Sequence, residues 1–235
     1  MRIAVMGAAG RIGSRLVETI LSAPGLELAG CLVAPGSREI GQPVAGGGIE
    51  YRAADSTINA RCDVVIDFST PDSTLLLQSQ CETKPIPFVI GTTGFSERQK
   101  KALKGHARHR PILLSDNFAV GFQNLMDVAQ TLRKAMPGML ATFGDDRGLR
   151  RDHHSLGERV RGFAVSAPPA DTTTIRFDAG GVELILTHRV NSLSAYADGA
   201  LAAAHWLVAR SPGPGLYSLA DTISPFSSDL KDHSA

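Results

Sequence analysis

The stretch Ile3-Ala4-Val5-Met6-Gly7-Ala8-Ala9-Gly10-Arg11-Ile12-Gly13 decides the fold. Four apolar residues in a row read as a short buried strand, ended by Gly7. Gly7, Gly10 and Gly13 carry the chain through a tight turn into a helix. Ile12, Leu16, Ile20 and Leu21 recur along one side of that helix. Leu26–Val33 is a second apolar strand. Strand, glycine-rich turn, helix and strand make one right-handed βαβ unit. Its turn lets a diphosphate approach backbone N–H groups at a helix N-terminus, where the helix dipole favours negative charge.

The alternation continues outward from this unit. Asp63–Phe68, Pro87–Ile90 and Ile112–Ser115 are apolar runs of strand length. Helices are expected over Pro71–Lys84 and, capped by Ser96, up to His106. This pattern means an α/β fold with a Rossmann-like, doubly wound parallel sheet. After Asn117 the pattern changes. Phe122, Leu125, Met126, Ala129 and Leu132 give Phe118–Met136 a helical period. Strands are expected at Met139–Phe143, Arg161–Ser166, Thr173–Phe177 and Val182–Arg189, with a hairpin turn at Asp178–Gly181. A long Ala-rich helix spans Ser194–Arg210. The expected organisation is a dinucleotide-binding domain over 1–118, completed by about 196–235. A smaller α+β domain with a mixed or antiparallel sheet spans 119–195. An apolar sheet face of Ile175, Leu184 and Leu186 is expected to need a partner.

The chain's 235 residues carry 24 Lys and Arg against 23 Asp and Glu, a formal charge of +1. That balance argues against nucleic-acid or membrane-surface partners, which call for a basic excess. Cys31, Cys62 and Cys81 lie far apart without zinc spacing, so reduced thiols are expected and no metal. No apolar run approaches the roughly 18 residues of a membrane span, and the chain begins directly with a strand. The expected location is the cytoplasm.

Three further motifs fall at the C-terminal ends of strands, where open α/β sheets bind ligands. They are Asp67-Phe68-Ser69-Thr70, Gly91-Thr92-Thr93-Gly94 and Ser115-Asp116-Asn117-Phe118. The Gly/Thr-rich turn lets backbone pass close to a flat ring such as nicotinamide. After the second strand no acid appears until Glu39. An acid there would bind ribose hydroxyls. Ser37 and Arg38, with Arg11, instead suit a 2′-phosphate, which favours NADPH over NADH.

The order of these motifs resembles the 4-hydroxy-tetrahydrodipicolinate (dihydrodipicolinate) reductase family, pyridine-nucleotide reductases of diaminopimelate and lysine biosynthesis. Leu186-Thr187-His188, Ser192, Ala197–Leu201 and Gly215–Leu219 are similar to the family's closing segments. The resemblance implies that Gly7, Ala8, Ala9, Gly10, Arg11 and Ile12 bind the pyrophosphate. It places Gly91, Thr92 and Thr93 at the nicotinamide, with Ser115, Asp116, Asn117 and Phe118 beside them; Phe68 and Ser69, from their place at a strand end, are further expected cofactor contacts. It also implies a homotetramer assembled through the second sheet.

The middle of the chain departs from the family. Its His-His-Arg-x-Lys and Asp-Ala-Pro-Ser-Gly-Thr-Ala stretches are missing, and Gly144–Arg159 stands in their place. Three alignments stay open. His153-His154 is the family's His pair; or Arg150-x-Asp152-x-x-Ser155 replaces Lys-x-Asp-Ala-Pro-Ser; or His154–Arg159 matches a later segment and the preceding part is shortened. Reducing a C=N or C=C bond needs a proton for the partner atom, which His supplies near neutral pH. His153 and His154 are the candidate acids. Neighbours on a strand point to opposite faces, so at most one of them is catalytic. Arg147, Arg150, Arg151 and Arg159 are candidates for clamping carboxylates, but Arg cannot donate the proton. His188 reads as an ordinary strand residue. The expected activity is NAD(P)H-dependent reduction of a small cyclic imine or unsaturated heterocyclic acid. The alternatives are a cofactor-binding homologue without catalysis and an amino-acid dehydrogenase.

Overall fold

β1 (Arg2–Met6), β4 (Val64–Asp67), β5 (Phe88–Ile90) and β6 (Pro111–Leu114) are buried almost end to end. Apolar runs without alternation require cover on both faces, and helices supply it. These strands come from a computed structural model that describes all residues except 47, 56–57, 59–60, 82–84, 137–139, 146–147, 152–171, 180 and 223–235. For residues 140–141, 143–145, 148–151 and 179 the description is of backbone alone.

With β2 (Glu27–Val33), β3 (Tyr51–Ala53) and β11 (Gly215–Tyr217) the strands form a seven-stranded sheet in the order β11-β6-β5-β4-β1-β2-β3. Every pair is parallel. α1 (Arg11–Ser22) and α5 (Ser194–Arg210) cover one face, packed around Ile3, Val5, Val64 and Ile66. Ala197, Ala200, Ala203 and Ala204 of α5 share this cluster with Leu16, Val17 and Ile20 of α1, so small side chains let the two helices approach. α2 (Pro71–Gln80) and α3 (Glu97–His106) cover the other face through Leu77 and Leu103. Cys31, Cys62 and Cys81 are buried in these clusters as thiols outside any disulfide. Burial pushes Cys31 and Cys81 up to about 11, so both stay protonated at neutral pH.

The remaining strands make an antiparallel sheet in the order β10-β9-β7-β8: β7 (Leu140–Asp145), β8 (Gly148–Arg151), β9 (Thr172–Ala179) and β10 (Val182–Arg189). β9 and β10 join through a tight turn in which Gly181 has φ +104°. α4 (Phe122–Ala135) lies on one face of this sheet. It buries Ile175 and Phe177 under Met126 and Ala129, and Leu186 packs beside them. The expected unpartnered face is corrected accordingly. Ile175 and Leu186 are satisfied within the chain, and the exposed apolar residues are Val182, Leu184 and Ile185.

Other boundaries shift for local reasons. α4 begins at Phe122 rather than Phe118 because Asn117 Oδ1 accepts the Ala119 N–H at 2.9 Å and Gly121 has φ +88°. α2 stops at Gln80, and Cys81 donates its N–H to Leu77 O. β3 and β8 are additional strands in stretches whose polarity reads as loop. The expected strand Arg161–Ser166 lies outside the described residues.

Candidate active site

The parallel sheet brings every strand-end motif to one edge. Its order reverses at β1, whose neighbours are β2 and β4. Ligands of such sheets sit in the crevice at that point. The turn after β1 packs onto the segment after β4 with no room for side chains. A Cβ on Gly7, whose φ is +77°, would lie 2.4 Å from Phe68 O, and one on Gly13 would lie 2.0 Å from Gly7 O. A Cβ on Gly91 would enter the Phe68 ring, 2.1 Å from Cε1.

A recess of about 210 Å³ lies here, lined by Arg11, Ile12, Phe68, Ser69, Gly91, Thr92, Thr93, Asp116, Phe118 and Tyr196. Phe68 and Phe118 meet edge to face, 5.7 Å between centroids, and wall one side. Asp67 is wholly buried beneath it. Its Oδ1 accepts from the Ser69 N–H at 3.0 Å, the Ser69 hydroxyl at 2.6 Å and the Thr92 hydroxyl at 3.1 Å. Burial drives this carboxyl above the usual carboxylate range, against the pull of those hydrogen bonds. One carboxyl thus ties the turns after β4 and β5 together.

The residues fit a dinucleotide. The N-cap of α1 is Gly10, which makes no side-chain cap, and the first turn holds no acid. The first helical bond runs from the Ser14 N–H to Gly10 O, so the N–H groups of Arg11, Ile12 and Gly13 precede the helical ladder. That end is suited to a diphosphate. The flat Gly91–Thr93 backbone and the Phe68–Phe118 wall suit a planar ring.

Most expected cofactor residues converge, with different duties. Gly7, Ala8, Ala9 and Gly10 form the turn itself, with Ala8 buried and Ala9 and Gly10 exposed. Ser115 and Asn117 are buried and bond to each other, so they shape the last turn, while Asp116 and Phe118 reach the recess. Ser37 and Arg38 lie past β2, away from the recess lining. The Ser37 hydroxyl bonds Glu39 and holds its carboxyl below the usual range, and Arg38 is exposed. Tyr196 was not among the expected residues. It is 2% exposed and stands alone as an aromatic on the small-residue face of α5, which was the available signal. Arg147, His153, His154 and Arg159 lie outside the described residues. Arg150 and Arg151 are on β8, paired with Phe143 and Thr142 of β7.

A larger cavity of about 550 Å³ shares Phe118 but is lined mainly by α5 and the start of α4, including Val120, Ala202, Trp206 and Leu219. It holds none of the turns after β1, β4 and β5, so it is separate from this site.

Comparison with known proteins agrees with this geometry. A family model, dihydrodipicolinate reductase, N-terminus, matches residues 1–118. The 4-hydroxy-tetrahydrodipicolinate reductase of Geotalea daltonii is 32% identical over 270 aligned positions, 95% of this chain and 98% of the relative. The alignment is longer than the chain, so the relative carries stretches with no counterpart here. The dipicolinate-bound dihydrodipicolinate reductase from Paenisporosarcina sp. TG-14 superposes with a TM-score of 0.67 at 18% identity, covering 93% of this chain and 97% of that one. The diaminopimelate (DAP) dehydrogenase of C. glutamicum, in complex with DAP, has a TM-score of 0.54 at 13% identity, covering 96% of each chain. These two likenesses concern the fold.

Proposed function

The chain belongs to the dihydrodipicolinate reductase family, and on that footing we propose that it transfers hydride to a small cyclic imine or unsaturated heterocyclic carboxylic acid. It is an NAD(P)H-dependent oxidoreductase. The observation that carries the reading is the single recess in which the turns after β1, β4, β5 and β6 meet.

When bound, the reduced nicotinamide supplies the hydride. Gly7–Ile12 hold the diphosphate at the start of α1. Gly91, Thr92 and Thr93 present backbone to the ring, while Phe68, Ser69, Asp116 and Phe118 wall it and exclude water. Arg38, with Ser37, faces the 2′-phosphate and makes NADPH the preferred cofactor. Arg38→Ala is expected to weaken NADPH about tenfold and leave NADH within about twofold, since one exposed charged contact is lost. Fluorescence titration of both nucleotides checks this. Arg147, Arg150, Arg151 and Arg159 supply the carboxylate clamp, and His153 or His154 gives the proton to the partner atom. Separate substitution of His153 and His154 tests the acid. Unchanged turnover in both variants would remove the assignment.

Two substrates stand open: the lysine-pathway heterocycle itself, and a related imine of a specialised pathway. The missing stretches around 144–159 keep the second in view. NADPH oxidation followed with 4-hydroxy-tetrahydrodipicolinate and with a panel of cyclic imines decides. Turnover of any of them supports the reductase. Tight NADPH binding without turnover identifies the non-catalytic alternative, and NADP⁺ reduction by an amino acid identifies the dehydrogenase. We further propose a homotetramer, assembled through the edge at β10, where Val182, Leu184 and Ile185 are exposed.

A further inference from the structure

Val120 is where the chain leaves the parallel sheet for the antiparallel one, and both of its backbone groups are engaged. Its N–H donates to Ala195 O at 3.3 Å, in the first turn of α5. Its carbonyl is 2.9 Å from His188 Nε2, on β10. A carbonyl has no proton to give, so Nε2 carries the hydrogen and donates. One peptide residue is therefore tied on one side to the helix that covers the nucleotide sheet, and on the other to the antiparallel sheet.

The surroundings mark this point as a hinge held shut. The next residue, Gly121, has φ +88°, a conformation that L side chains rarely adopt. A Cβ on Gly121 would lie 3.6 Å from the His188 ring. Phe122 meets that ring edge to face at 6.0 Å. The return crossing runs alongside, because Val190 packs with Ala119 and Tyr196. Phe118 and Tyr196, both walls of the recess, are thus near neighbours of the two crossings. A turn at Gly121 would swing the antiparallel sheet about the mouth of the recess, since hinge residues absorb such backbone changes.

We propose that His188 is a positioning residue: its hydrogen bond to Val120 sets the angle at which the antiparallel sheet meets the cofactor recess. It does not line the recess. It acts through Val120 and Gly121, holding the sheet that carries Arg150 and Arg151 at a fixed approach. What the sheet delivers rests on the reductase reading. The latch itself does not.

The test compares wild type, His188→Leu and His188→Gln, all with NADPH present. Leu removes the donor and keeps bulk, and the Gln amide reaches close to the position of Nε2. Amide hydrogen exchange over residues 119–124 is expected to rise about tenfold in His188→Leu and to stay within about threefold of wild type in His188→Gln. Turnover of the best substrate is expected to lose about tenfold in kcat in His188→Leu, with KM and NADPH affinity nearly unchanged, and to recover in His188→Gln. Should His188→Leu not fold, His188→Asn takes its place, because its amide stops short of Val120. Unchanged exchange in the folded Leu or Asn variant overturns the proposal. So does equal impairment in the Gln variant, which would assign the effect to ring packing against Phe122. If wild type turns over no substrate, the reductase reading fails while the exchange measurement still decides the latch.

Discussion

At the scale of single residues, backbone meets backbone without side chains between. Gly13 leaves no room beside Gly7, since an added Cβ would sit 2.0 Å from its carbonyl oxygen. Gly13→Ala is expected to cost about 1–3 kcal/mol, the range for forcing an extra carbon into a packed site. It should also lose most NADPH affinity, because the turn must open. Gly105 in α3 is the control, because a Cβ added there would meet nothing within 4 Å and its φ is ordinary for a helix. Gly105→Ala is expected to gain about 0.5 kcal/mol. Urea unfolding and nucleotide titration of the two variants check both. Asp67 gives a pH dependence. Burial holds its folded pKa above the unfolded value of about 3.9. Between those two values the folded chain binds more protons than the unfolded one, so stability falls as pH rises through that window. Asp67→Asn keeps an acceptor for Ser69 and Thr92 and does not titrate. Its stability relative to wild type is expected to improve from about pH 4 to neutral, measured by urea unfolding at each pH. A relative stability that is flat or declines would show that the carboxyl does not titrate upward.

At the scale of elements, what could be read from sequence depended on whether a segment's physics is local. The β1–α1 turn was legible because glycine spacing, an apolar run and a helical period all agree within a few residues. The hairpin at Gly181 was legible for the same reason. The true start of α4 was not, because the apolar period runs back to Phe118 and only the Asn117 side chain and the Gly121 backbone end it. β3 and β8 are short, polar strands that exist because a neighbouring strand offers its edge, which no local pattern announces. The burial of Ile175 likewise depends on α4 arriving from elsewhere in the chain. Tyr196 reaches the recess because α5 lies flat on the core, which its alanines permit. Gly199 makes the closest approach, where a Cβ would lie 1.8 Å from Phe118 O. Gly199→Ala is expected to push α5 off Phe118, lower stability by about 1–3 kcal/mol and weaken NADPH binding several-fold. Thermal unfolding and nucleotide titration read the two effects separately. Wild-type affinity in that variant would mean that Phe118 does not bound the cofactor site.

At the scale of the whole molecule, β10 and β8 are the outer strands of the antiparallel sheet among the described residues, and Ile185 on β10 is half exposed. If β10 assembles the oligomer, Ile185→Lys should reduce the assembly to smaller species, because a charge facing its own copy across a symmetric contact is repelled. Light scattering on an eluting column measures this, and an unchanged mass would move the interface elsewhere. The other sheet closes its edge in a different way. β6 is followed by the entire antiparallel sheet and α5 before β11 returns to pair with Pro111–Leu113. On a ribosome adding about 5–20 residues per second, β6 therefore waits roughly 5–20 s for its neighbour. During that interval its outer edge is an open template for other strands. Pro111, at its first position, lacks an N–H and blunts part of it. The pairing of β11 with β6 thus closes that edge late, and the nucleotide site, whose lining includes Tyr196, is complete only after α5 has been made.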